Sequence, residues 1–442
     1  MSAVPAGRAP ASAAIAGPTV ATLWALALLN FFLADARDGL GPFLDAFLTT
    51  KGWQPMDLGM LATIGGAIGL AAGVPAGAFA DRTRSKRMMI VVPIALITAM
   101  SFLCIAWPQQ GVVFVTQALA ALAGVLIAPA LTGITLGVVG PKHFGRQLGK
   151  NEAWNHAGNV VLLGGTWGAS AWFGLPGVAG LMLITTIAAI MATLAIAPAS
   201  IDHAAARGLA PSHVDNAAGL DSTGAGMVAL SGPACSGQPP AAGATPPAPS
   251  WRVLAANRPL LLLSVALLLF HFGNAPLARL ISQQFALQMQ RPFETTAVIT
   301  MVSQLSALAA ALLAQRIIRL DWVRAAAVLA VLSLPLRGVL AYSFSEFAMI
   351  YPVQLLDGLG VGLLGILTPF LVERLTRGSG HFNMALAAVM VVQGVGAASS
   401  NVVAGYLVTH YGYAMTYLLH GSFALVALAA LLPALAGARA RP

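Results

Sequence analysis

Twelve stretches of this chain are apolar for close to the length a helix needs to cross a bilayer, about 20 residues. They fall at about 19–48, 57–80, 88–107, 112–139, 148–173 and 177–197. A second set falls at about 259–287, 295–315, 323–342, 347–372, 382–408 and 413–436. Between the sets, 198–254 is rich in Ala, Gly, Pro and Ser, as from Gly237 to Pro249. Such a segment cannot build a core and reads as a flexible cytoplasmic linker. The pattern predicts an all-α membrane protein with twelve transmembrane helices in two pseudo-symmetric six-helix bundles, 19–197 and 255–436. Tails at 1–18 and 437–442 complete it, and the first runs into a span too long for a signal-peptide core, so no cleavage is expected.

The basic residues set the orientation. With the N-terminus inside, 18 of the 23 Lys and Arg fall on cytoplasmic segments and only Lys51 and Arg291 fall outside. Arg37, Arg279 and Arg337 lie within spans. That asymmetry places both termini in the cytoplasm, and the expected location is the inner (cytoplasmic) membrane. It also accounts for the net charge of +9, which on a soluble chain would read as a nucleic-acid footprint. Here no nucleic-acid partner is expected.

Composition agrees. The chain is 58% hydrophobic and 8% charged, against about a quarter charged in a soluble domain. Cys104 and Cys235 suggest neither a disulfide nor a metal site, and no cofactor is implied. No phosphate-binding Gly-x-x-x-x-Gly-Lys-Ser/Thr loop occurs, and no nucleophile–base pattern argues for an enzyme. The expected partners are the lipid bilayer, a small-molecule substrate and protons, with the chain as a monomer.

The halves match each other at an offset of about 237 residues, which sets Gln117 on Gln354 and His156 on Gln393. Between spans two and three, Gly77-Ala-Phe-Ala-Asp81-Arg82-Thr-Arg-Ser-Lys86-Arg87 resembles the signature loop of the major facilitator superfamily, Gly-x-x-x-Asp-Arg-x-Gly-x-Arg-Arg. Arg84 stands where that family usually has Gly. In the loop, Gly77 permits close helix approach, Asp81 can accept from a helix N-terminus, and Arg82, Lys86 and Arg87 are expected to anchor to the inner leaflet. The resemblance implies a transporter fold with spans one, two, four, five, seven, eight, ten and eleven lining a central cavity. Subfamily signatures are missing. Gln117 stands where many proton-coupled members carry an arginine, and Gly158 to Gly165 lacks the proline of drug antiporters.

Polar residues within spans concentrate on the implied cavity helices. Span one carries Asn30, Asp35, Arg37, Asp38 and Asp45. Span five carries Asn155, His156 and Asn159, and span seven His271 and Asn274. Gln304, Gln354, Asp357 and Gln393 lie on spans eight, ten and eleven. A charge at mid-membrane costs on the order of 3 kcal/mol, so such residues mark function by default. On a continuous helix Asp35 and Asp38 share a face and Arg37 points away.

We therefore expect Asp35, Asp38, His156 and Asp357 as proton-coupling groups. Arg37, Asn155, His156, Asn159, His271, Asn274, Gln354 and Gln393 are the expected substrate contacts. Arg279 or a cationic ligand group is the expected partner of Asp357, with a gate nearer the periplasmic end as the alternative part for Arg279, while Arg337 and His420, on outer helices, read as structural. The whole reads as a proton-coupled secondary transporter of a small polar organic solute. A multidrug or toxic-compound exporter is the alternative, and a non-transporting membrane sensor a remote one.

Overall fold

A computed structural model describes residues 18–207, 257–376 and 382–437. The tails, most of the central segment including 208–254, and Arg377 lie outside the described residues, as do the side chains of Asp81 and Lys142. All twelve expected spans are helical, and among the described residues there is no strand. Spans two, three, eight, nine and ten are Pro55–Arg82, Met88–Ala106, Pro292–Arg319, Val323–Ser343 and Ile350–Thr376. Span four starts at Gln110–Gly124 and continues into Ile127–Ala195, whose trace reverses at Gly140 (φ 69°) and Gly174 (φ 61°) to give spans five and six. Spans eleven and twelve share Phe382–Gly437 and reverse at Gly412 (φ 79°). Left-handed backbone of this kind needs glycine, which is why the reversals fall there. The face bearing the basic clusters is called inner below, and the opposite face outer.

Span one is not the continuous helix that its apolar pattern predicts. It runs Val20–Ala36, breaks through 37–40, and resumes as a short 3-10 turn and Leu44–Thr50. Gly39 (φ 58°) and Gly41 (φ 40°) take conformations closed to most residues, and Pro42 follows. Gly39 packs so tightly on span three that a Cβ would meet Ile97 and Ser101 side chains. Span seven breaks at the corresponding place, between Arg258–Asn274 and Leu277–Met289. Discontinuous helices of this kind put backbone polar groups at membrane depth, where transporters use them.

Each half has its own apolar core, one built around Leu26, Ile90 and Ile134 and the other around Leu267, Leu334 and Leu367. A third cluster crosses between halves at the outer ends, where Phe43, Phe47 and Trp53 meet Phe293 and Ala297. Spans two and eleven close on each other there at small residues. The Thr63 hydroxyl donates to the Ala398 carbonyl (2.9 Å) and accepts from the Val402 N–H (3.1 Å). A Cβ on Gly59 or Gly405 would strike the opposing backbone at Asn401 or Pro55. Farther inward, Gly69, Gly73 and Gly77 face open space. The halves are thus sealed outside and apart along the inner part of span two.

The linker begins later than composition predicts. Residues 198–207 fold back as two short 3-10 turns against span four, burying Ile201, Ala205 and Ala206. The Asp202 N–H donates to the Gly137 carbonyl (2.9 Å). Gly133 and Gly137 leave room for this contact, since a Cβ at Gly137 would collide with Ile201 and Ala206.

Candidate functional site

The most deeply buried charge lies in the C-terminal half. Arg337 of span nine is fully buried and its Nη1 donates to Asp357 Oδ1 of span ten at 2.8 Å. The same nitrogen donates to Asn274 Oδ1 of span seven (2.7 Å), and Asn274 Nδ2 returns a bond to Asp357 Oδ1 (3.1 Å). The Ser303 hydroxyl of span eight donates to Asp357 Oδ2 (2.7 Å). Four helices therefore converge on one carboxylate. The backbones allow it because Gly358 lies against the Ser303 carbonyl, and Gly360 against Ser333 and Ala330 of span nine. His271, one turn inward of Asn274, lies within reach of the Gln393 side chain and near Asp357.

Two expectations bear on this pair. Arg337, read as structural on a peripheral helix, is the ion-pair partner of Asp357. Arg279 does not touch Asp357. It holds Asp45 in a forked pair, with Nε to Oδ2 at 2.7 Å and Nη2 to Oδ1 at 2.5 Å. Gln283 Nε2 also donates to Asp45 (3.0 Å), and Arg279 Nη1 reaches Asn401 Oδ1 on span eleven (3.3 Å). Asp45 is on span one, so this pair ties the two halves together at their outer ends. The gate alternative is the one that fits Arg279. The planar guanidinium fork matches a carboxylate, which gives the contact a fixed geometry.

Span one differs from its expected arrangement because of its break. Asp35 still ends a helix, and its Oδ2 accepts from Thr185 of span six at 2.6 Å. Asp38 lies in the turn beyond, half exposed, with its Oδ1 3.6 Å from Arg37 Nε. The two acids stay close, since the Asp38 N–H still bonds the Asp35 carbonyl and the carboxylates interact, but the arginine is not turned away from Asp38. Asn155 Nδ2 donates to the Asn30 carbonyl (3.3 Å), and Asn159 Nδ2 donates to Asn155 Oδ1 (3.4 Å). Gly158 seats between them, where a Cβ would strike the Phe31 carbonyl. Those amides brace span five on span one. His156 is exposed, on neither contact. Gln354 is fully buried within the C-terminal half, so it is not available to a solute in the conformation seen.

Two basic residues of the signature loop bind helix ends. Lys86 is buried and donates to the Ala80 carbonyl at the end of span two, with its stem against Gly133. Arg87 Nη1 donates to the Leu194 and Ile196 carbonyls at the end of span six (3.3 and 3.0 Å). Carbonyls at a helix C-terminus lack intrahelical donors, and basic side chains supply them. Arg82 is exposed, Gly77 faces open space, and the Asp81 side chain lies outside the described residues.

Sequence reading missed Thr185, Ser303 and Arg337. A hydroxyl in an apolar helix carries no signal, and Arg337 showed only its charge. A groove of about 550 Å³ lies elsewhere, lined by Gly168, Trp172, Phe173, Gly177 and Ile184 at the turn joining spans five and six. It is apolar, so although Ile184 adjoins Thr185 in the chain it suits lipid chains better than a polar solute.

Residues 26–344 match the family described as Major Facilitator Superfamily. Two curated relatives from Mycobacterium tuberculosis strains, each called an uncharacterized MFS-type transporter, are 37% identical over 413 residues, 90% of either chain. Among solved structures, the nucleoside transporter NupG aligns with a TM-score of 0.64 at 13% identity, covering 94% of this chain and 98% of its own. A bacterial homolog of the human lysosomal transporter Spinster, inward-facing and unoccupied, also aligns at 0.64 and 13%, covering 94% and 95%. Likeness at that identity concerns the fold.

Proposed function

Because this chain belongs to the Major Facilitator Superfamily, we propose that it carries a small polar organic solute across the cytoplasmic membrane by alternating access, coupled to protons. It is a multi-pass membrane transporter and not an enzyme. The finer reading rests chiefly on one observation, the buried Arg337–Asp357 pair. A buried ion pair contributes little net stability, and apolar residues of similar volume often serve as well or better. Its presence inside a membrane bundle therefore argues for a task. A proton on Asp357 would cancel the carboxylate charge and free Arg337, changing how spans seven, eight, nine and ten hold together.

Several groups support a polar solute. His271 and Gln393 lie together near this pair, and His156 is exposed on span five. The sealed outer face with the Asp45–Arg279 gate is one of the two end states that alternating access requires. Cytoplasmic termini follow from the charge bias alone.

The test is a thermal-stability screen of the purified full-length protein against amino acids, sugars, nucleosides and organic acids at acid and alkaline pH. A binder stabilises by mass action. The reading expects a polar hit whose shift depends on pH in the native protein and not in Asp357→Asn. Only lipophilic hits, or the same pH dependence in the variant, would reject it.

One observation favours the exporter alternative. Trp24, Phe31 and Trp154 form an edge-on aromatic group between spans one and five, with Trp24–Trp154 centroids 5.9 Å apart. Lipophilic cations that stabilise the native protein but not Trp154→Ala would select that reading.

A further inference from the structure

Most buried side-chain atoms without a hydrogen-bond partner among the described residues gather in one region of the protein, although His420 Nε2 lies deeper in span twelve. They include Gln283 Oε1, Thr296 Oγ1, Arg337 Nε and Nη2, both ends of the Gln354 amide and the Tyr413 hydroxyl. All belong to the C-terminal half, and each sits within about 10 Å of its helix's outer end, counting 1.5 Å per residue. Polar groups removed from water are nearly always paired. A concentration of exceptions in one place is therefore informative, where scattered ones would not be.

These atoms also fall in order. Asp357 holds Arg337. Arg337 lies beside Tyr417 of span twelve, which is fully buried and whose hydroxyl donates to Gln284 Oε1 (2.7 Å). The Tyr417 ring is 6.4 Å from that of Tyr413, one turn outward. Tyr413 lies near Asp45 at the outer gate. Gln354 stands one turn outward of Asp357 on the same helix, with its amide unpaired among the described residues. Gly338 lets spans nine and twelve close on each other here, since a Cβ would come 2.7 Å from the Tyr417 carbonyl.

We propose that ordered water fills these gaps and forms a proton path from the outer surface to Asp357, inside the C-terminal bundle and separate from the solute route. The proposal rests on the reading of Asp357 as the coupling carboxylate. A buried water needs two or more polar partners, and the unpaired atoms of Arg337, beside Asp357 and Tyr417, are where such partners stand together. A proton entering past Tyr413 would move along water and hydroxyl to the Asp357 carboxylate, which becomes neutral while Arg337 keeps its charge. The ionisable groups around Asp357 are Arg337 from span nine, His271 from span seven and, beyond Arg337, Tyr417 from span twelve. Spans eight and eleven contribute Ser303 and Gln393, which do not titrate. The consequence is specific. In the conformation whose outer face is closed to solute, Asp357 is still reached by protons from outside.

X-ray radiolytic footprinting tests this, because hydroxyl radicals made from bound water oxidise the side chains next to it. The probe is water itself, in the full-length protein in lipid nanodiscs. Tyr417 is expected to be modified several-fold faster than Phe270 and Phe285, which are equally buried among apolar residues. Gln354→Leu is expected to slow modification of Tyr417. Tyr417 reacting as slowly as the two phenylalanines, or a rate untouched by Gln354→Leu, would overturn the water path. Failure of the coupling reading shows separately, as undiminished solute-driven proton flux in Asp357→Asn with the Tyr417 footprint intact. In that case the proton role falls although the water remains.

Discussion

Arg279→Ala should open the outer face. Asp45 is almost fully buried, and its two oxygens are held by Arg279 and Gln283 across the boundary between halves. Breaking a buried pair by removing one partner costs about 3–5 kcal/mol, because a charge is left unpaired. Arg279 is 32% exposed and Gln283 still donates to Asp45, so the expected cost falls to about 2 kcal/mol. That cost applies only to the conformation in which the halves meet outside, since separating them lets water reach Asp45. The equilibrium therefore shifts toward outer opening by about 30-fold, at 1.4 kcal/mol per factor of ten. The shift can be read without knowing the solute. In a background of Cys104→Ala and Cys235→Ala, a Thr63→Cys reporter on the seal is labelled with a membrane-impermeant thiol reagent added outside. Labelling should accelerate in Arg279→Ala and return toward the parent rate in the charge swap Asp45→Arg with Arg279→Asp. An unchanged rate in the single variant, or no recovery in the swap, would show that this pair does not hold the gate.

Other outcomes follow from the same contacts. Arg337→Ala should cost about 3–5 kcal/mol of stability by leaving Asp357 unpaired in the bundle; a detergent melt should show it, and adding Asp357→Leu should recover much of the loss without restoring proton coupling. Gly358→Val should lower the melting temperature, since its side chain enters the backbone contact between spans eight and ten, an overpacking cost of about 1–3 kcal/mol. An unaltered melt would mean that the helices are looser there than they look. Arg87→Ala removes two bonds to the end of span six, for a loss of about 1–2 kcal/mol. Hydrogen exchange should then quicken at Thr193 to Ile196 and not at span four.

The span pattern was legible because bilayer thickness imposes a length on apolar runs, and nothing else in the chain imitates it. The two-half organisation followed from the same runs together with the composition of the central segment. Pairings were much less legible. Asp45 and Arg279 are 234 residues apart, and their meeting depends on how whole bundles dock. Arg337 was judged from its helix's expected place at the periphery, which says nothing about which side of that helix points inward. The break in span one was written in Gly39-Leu-Gly41-Pro42, and treating those residues as helix turned Arg37 away from Asp38, which it in fact approaches. His271 and Gln393, by contrast, were singled out from mid-span polarity alone, and the structure brings them within reach of each other.

The central claim is that solute movement and proton movement are joined at Asp357. Proteoliposomes holding the full-length protein and a trapped pH-sensitive dye test it most directly, with polar solutes added outside one at a time. The account predicts that some solute evokes a pH change in native vesicles, and that Asp357→Asn abolishes this change while still binding the solute. The same pH change in the variant, or solute entry in native vesicles without any proton movement, would contradict it.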